Sequence, residues 1–106
     1  MKLVILMFLE EDSKCAEGIL AEHGVIAYSE VPVEGRGGGT AGWYGKVAPF
    51  RSRMVISFMP AGLADDLTEA VRLCQERKDP GHPIRAWQID VEKAVTSGDP
   101  APSSPG

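Results

Sequence analysis

An α+β fold of the ferredoxin-like type, βαββαβ, is what this sequence predicts, and three observations predict it. Four short runs rich in strand-forming residues alternate with two segments of helical spacing over 106 residues. Their order is strand, helix, strand, strand, helix, strand, that of a split βαβ unit. Between the second strand and the third lies VEGRGGGTAGWYGKVAPF, residues 33–50, with six glycines set among charged and aromatic residues.

The first strand is the continuous apolar run LVILMFL, residues 3–9, short enough for a strand and apolar enough for a central place in the sheet. Asp12 or Ser13 is positioned to cap the next element, since a short oxygen-bearing side chain accepts from the exposed amides of a first turn. Ala16, Ile19, Leu20 and His23 then recur at helical spacing, and Gly24 supplies the stop. A second strand is expected over 25–33. Pro32 lacks an amide hydrogen, so this strand belongs at a sheet edge.

RMVISFM, residues 53–59, is the third strand, and Pro60 and Gly62 turn the chain into the second helix. Leu63, Leu67, Ala70, Val71 and Cys74 form its buried stripe. Asp65 and Asp66 are expected in its first turn and Arg77 and Lys78 at its end, as a helix dipole favours. IRAWQIDV, residues 84–91, is the fourth strand. The tail from residue 96 to 106 is rich in proline, glycine and serine and reads as disordered, leaving one domain over 1–95.

Two helices cover one face of a four-stranded sheet. The other face still carries Val, Ile, Phe or Trp on several strands, and an apolar sheet of that size calls for a partner. A small core, from 43% hydrophobic residues, points the same way, toward self-association.

A net charge of −4 argues against a nucleic-acid binder, whose binding face is strongly basic. The charge is unevenly spread, however: between residues 34 and 53 lie Arg36, Lys46, Arg51 and Arg53 against the single acid Glu34. The first strand is too short to span a bilayer and is followed by acids rather than a cleavage site, so a cytoplasmic protein is expected. Cys15 and Cys74 have no metal-type spacing; both are expected as reduced, buried small hydrophobes on the apolar sides of their helices.

Three readings of the glycine-rich segment compete: a surface loop, a backbone cradle for an anion, or a mobile arm that recognises a partner. Gly35, Gly37, Gly38 and Gly39 have the backbone freedom to form a nest of amides around a phosphate, and Arg36 adds charge-assisted hydrogen bonds. No lysine–serine pair follows, which excludes a P-loop NTPase. Arg51 and Arg53, two apart on a strand, point the same way and form a charged rim. Trp43 and Tyr44, with Lys46 beside them, are the residues expected to meet a partner. No nucleophile, base and orienting group come together in the sequence, so no enzyme is expected.

MKLVILMFLEE, AEGILAEHGV, SEVPVEGRGGG and the PAGLADDLTEAV helix resemble the nitrogen-regulatory PII signal proteins and their PII-like relatives over residues 1–95. The resemblance implies a ferredoxin-like domain in a homotrimer with its sheets inward. It also implies a T-loop-like insertion between strands 2 and 3, and adenine nucleotides between subunits.

By this resemblance VEGRG at the loop base approaches the nucleotide phosphates. Gly81, His82 and Arg85 stand in the second phosphate-contacting turn. The implied ligands are ATP, ADP, AMP or cyclic AMP, none covalently bound. The implied partner is a membrane transporter or a metabolic enzyme. The chain departs from the family pattern in a shorter loop, in the second turn, which lacks the usual lysine, and in the absence of arginines near its end. These departures mark a divergent PII-like protein. The related divalent-cation tolerance proteins share the trimeric architecture, which leaves copper or zinc binding through His23, His82, Cys15 and Cys74 as the alternative.

Overall fold

The computed structural model describes residues 1–35, 50–77 and 84–100. The element order is β1 (Lys2–Leu9), a 3-10 turn (Glu10–Asp12), α1 (Ser13–Glu22), β2 (Ser29–Gly35), β3 (Phe50–Met59), α2 (Ala61–Arg77) and β4 (Arg85–Asp90). The strands form one sheet in the order β2-β3-β1-β4, with every neighbouring pair antiparallel. This is the ferredoxin-like α+β fold expected from the sequence. Pro32 lies in an edge strand, the place in a sheet that tolerates a missing amide donor.

Alternation along the strands separates two faces. Val4, Leu6 and Phe8 of β1 and Val55 and Met59 of β3 are buried against Ala16, Ile19 and Leu20 of α1 and Ala64, Leu67 and Val71 of α2. The other face is built from the intervening positions. Met54 stands beside Met7 and Val31, Ile56 beside Ile5, and Phe58 beside Leu3 in the register, while Trp87 and Ile89 flank Ile5 and Leu3 from β4. Phe58 is 59% exposed and Ile89 49%, so a large apolar surface faces outward across the sheet.

Several local expectations are corrected. The second strand begins at Ser29, not at residue 25. Gly24 has φ +70°, its amide donates to the Ala21 carbonyl at 3.0 Å, and the Val25 amide reaches the Leu20 carbonyl at 2.9 Å. That is a Schellman cap, in which the apolar residue after the glycine packs back on its own helix. Val25 is buried for that reason. The third strand starts at Phe50, three residues earlier than expected.

Neither Asp12 nor Ser13 caps α1 through its side chain: Asp12 makes no capping hydrogen bond, and the Ser13 hydroxyl donates backwards to the Glu10 carbonyl at 2.7 Å. Because α2 begins at Ala61, with the Ala64 amide bonded to the Pro60 carbonyl, Asp65 and Asp66 fall beyond its first turn. Asp65 instead accepts a hydrogen bond from the Gln88 amide at 2.8 Å, tying α2 to β4. The two cysteines are half-buried rather than buried.

Residues 96–99 close a turn in which the Thr96 amide donates to the Asp99 carboxylate at 2.7 Å and the Asp99 amide to the Thr96 carbonyl at 2.9 Å. No helix among the described residues is long and apolar enough to cross a membrane.

Candidate functional site

The strand ends that flank the glycine-rich segment meet at one end of the sheet. Gly35 pairs with Phe50, Glu34 with Arg51, and Ser52 with both Val33 and Leu9. A cleft of about 310 Å³ opens there, lined by Glu10, Pro32, Val33, Glu34, Arg51 and Ser52. Chain order puts Glu10 in it, because β1 ends at Leu9 and the 3-10 turn follows directly at that end of the sheet.

Arg51 and Arg53 lie on the same side of β3, as their spacing requires, but their surroundings differ. Arg51 is exposed at the mouth of the cleft. Its guanidinium has the planar fork that grips a carboxylate or phosphate with paired hydrogen bonds. Arg53 is engaged: its Nε donates to Glu30 Oε2 at 3.0 Å, and its Nη1 lies 3.7 Å from Glu10 Oε1. The register explains the first contact. Glu30 stands opposite Val55 and Pro32 opposite Arg53, so Glu30 is the diagonal same-face neighbour of Arg53.

Charge at this end is therefore more balanced than chain order suggested. Glu10, Glu30 and Glu34 stand around Arg51 and Arg53, so the two described cations of this stretch face acids from the 3-10 turn and β2. Glu10 and Glu30 are the residues that sequence reasoning missed. Their role depends on a register that the length of a glycine-rich segment does not reveal.

Arg85 is placed apart from this group. It opens β4 opposite Met7, on the outward apolar face, and borders a cavity of about 270 Å³ between α2 and β4. β2 and β4 are the two outer strands, three spacings or about 14 Å apart. Yet both leave from the same end: β2 finishes and β4 begins beside the last residues of β1. The segments 36–49 and 78–83 therefore depart from one end of the sheet, at its two opposite edges. Arg36, Gly37, Gly38, Gly39, Trp43, Tyr44, Lys46, Gly81 and His82 lie outside the described residues.

His23 caps α1, its Nδ1 donating to the Ile19 carbonyl at 2.9 Å. Among the described residues no group of three or more His, Cys, Asp or Glu side chains is arranged to hold a metal ion. The Ser52 hydroxyl faces the Val33 carbonyl at 3.5 Å rather than a base. The cleft has the equipment of a binding site: an exposed guanidinium and flanking carboxylates.

No protein-family profile matches the chain, and no curated protein does. Solved structures do. One is CPII, a nitrogen regulatory PII-like protein from Thiomonas intermedia K12, bound to ADP, AMP and bicarbonate. It matches at a TM-score of 0.59 and 19% identity, over 89% of this chain and 94% of that one. The same protein bound to ADP and bicarbonate matches at 0.57 and 21% identity, over 87% and 88%. A PII-like signaling protein from Thermus thermophilus matches at 0.60 and 18% identity, over 85% of both chains. The chain has the fold of the PII-like proteins from end to end of its sheet.

Proposed function

We propose that this chain, having the PII-like fold, is a divergent PII-like signalling protein without enzymatic activity. Its homotrimer senses an adenine nucleotide or small anion at the base of the glycine-rich segment. The observation that carries this reading is that both candidate phosphate-contacting segments leave the sheet from one end, in a fold whose solved examples hold ADP, AMP and bicarbonate.

The two segments start from opposite edges about 14 Å apart. A nucleotide that touches both is therefore served by the edges of two neighbouring copies. The outward apolar face, with Phe58, Trp87 and Ile89 exposed, supplies the surface on which copies associate. Gly35, Arg36, Gly37, Gly38, Gly39 and Arg51 hold the phosphates from one copy, and Gly81, His82 and Arg85 approach from the next. Arg53 supports them by fixing the hairpin. Binding orders the glycines, and the ordered segment presents Trp43, Tyr44 and Lys46 to a transporter or metabolic enzyme in the cytoplasm.

Calorimetric titration with ATP, ADP, AMP and cyclic AMP tests this directly. Binding of at least one of the four is expected. Absence of heat with all four removes the nucleotide, and tight binding of copper or zinc instead would favour the cation-tolerance alternative.

A further inference from the structure

The helices carry a feature that nucleotide sensing does not use. Cys15 and Cys74, 59 residues apart in the chain, bring their sulfurs within 3.8 Å across the α1–α2 contact. Neither is joined in a disulfide, both are half-buried, and both line a groove of about 610 Å³ between the helices, with Lys14, Glu22 and His23 at its margins. The groove lies on the helical side of the sheet, opposite the apolar face, so it stays open to solvent when copies associate through that face.

We propose that Cys15 and Cys74 form a reversible oxidation site, a dithiol that closes to an α1–α2 disulfide on reaction with a hydroperoxide. One thiolate attacks the peroxide O–O bond, taking one oxygen as a sulfenic acid while the other leaves as water. The second thiol attacks that sulfur and expels the hydroxyl as a second water. The two thiols lose two electrons and two protons, and hydrogen peroxide is reduced to two waters. A dithiol reductant reverses the change by exchange. The sulfurs must close from 3.8 Å to the roughly 2.05 Å of a disulfide, a distance that side-chain rotation and a small helix shift can cover.

The site is tested on the full chain with stoichiometric hydrogen peroxide, followed by thiol counting, intact mass and peptide mapping. The expected product has no reactive thiol, a mass lower by two hydrogens, a Cys15–Cys74 linkage, and full recovery on reduction. Closing so long a loop should raise the melting temperature by roughly 8 °C or more. Because the folded chain holds the sulfurs together, dimedone added with the peroxide should trap less sulfenic acid in the wild type than in a variant that lacks one of the two cysteines. Cys15→Ala and Cys74→Ala should each leave a single thiol whose sulfenic acid is trapped by dimedone, with no rise in melting temperature. Persistent thiols in the oxidised wild type, a stable sulfenic acid there, or disulfides only between chains would each overturn the proposal.

Discussion

Replacing Arg53 with Met should cost stability, because its guanidinium is committed to holding β2 and the 3-10 turn. Its side chain is 25% exposed and that of Glu30 19%, so the pair is neither a surface salt bridge nor a fully buried one. Exposed pairs contribute up to about 1 kcal/mol, and breaking buried ones costs about 3–5 kcal/mol. Glu30 sets the value within that range. Among the described residues its Oε1 is already buried without a hydrogen-bond partner, and the substitution removes the Arg53 donor from Oε2 as well. A loss of about 1.5–3 kcal/mol follows, close to that of a hydrogen bond to a charged group.

For a domain of this size that corresponds to a fall in melting temperature of roughly 6–20 °C. The assay is thermal and urea unfolding of Arg53→Met, Glu30→Gln and the double variant, all at one protein concentration, since an oligomer's stability depends on it. The double variant should be less destabilised than the sum of the singles, by about 1 kcal/mol or more. Glu10→Gln should change little, because Glu10 is 48% exposed and 3.7 Å away. A melting temperature for Arg53→Met within about 2 °C of wild type, or strict additivity in the double variant, would refute the reasoning.

Arg36→Ala should weaken nucleotide binding about ten- to a hundredfold by calorimetry, the loss of one charge-assisted contact, with the melting temperature nearly unchanged. Trp43→Ala should spare that affinity and weaken capture of a partner. Phe58→Glu puts a charge on the outward apolar face. Light scattering should then report a smaller particle while circular dichroism stays native; an unchanged mass would mean the copies associate elsewhere. At the foot of the sheet, the Lys2 ammonium hydrogen-bonds Asp90 and holds its carboxyl below the ordinary range. A depressed value stabilises the fold above the unfolded carboxyl value near about 3.9 and loses that contribution as the pH falls through the folded value. In a carboxyl-detected titration Asp90 should move upward in Lys2→Met, and no movement would contradict the assignment.

What could be read from residues alone was what periodicity and backbone chemistry decide. The order of elements, the buried faces of both helices, the edge position of Pro32 and the stop at Gly24 each rest on one residue's local properties or on spacing within one element. Val25 shows the limit of that approach. An apolar residue after a helix reads equally well as the start of a strand or as the hydrophobic end of a cap, and only the hydrogen bonds to Leu20 and Ala21 distinguish them.

The triad of Glu10, Arg53 and Glu30 was hidden for a different reason. It joins three segments whose relative register depends on the path of residues 36–49, and chain order set Arg53 among cations instead of acids. The meeting of Cys15 with Cys74 likewise depends on how two helices pack on a sheet, which no spacing within either helix encodes.

Native mass spectrometry of the protein titrated with ADP tests the central claim most directly, since it reads assembly and ligand together. The account predicts a particle of three 11.4 kDa chains that takes up nucleotide to a limit of three, one for each pair of neighbouring edges. A monomer, or an assembly that carries no nucleotide at any ADP concentration at which solved PII-like folds are loaded, would contradict it.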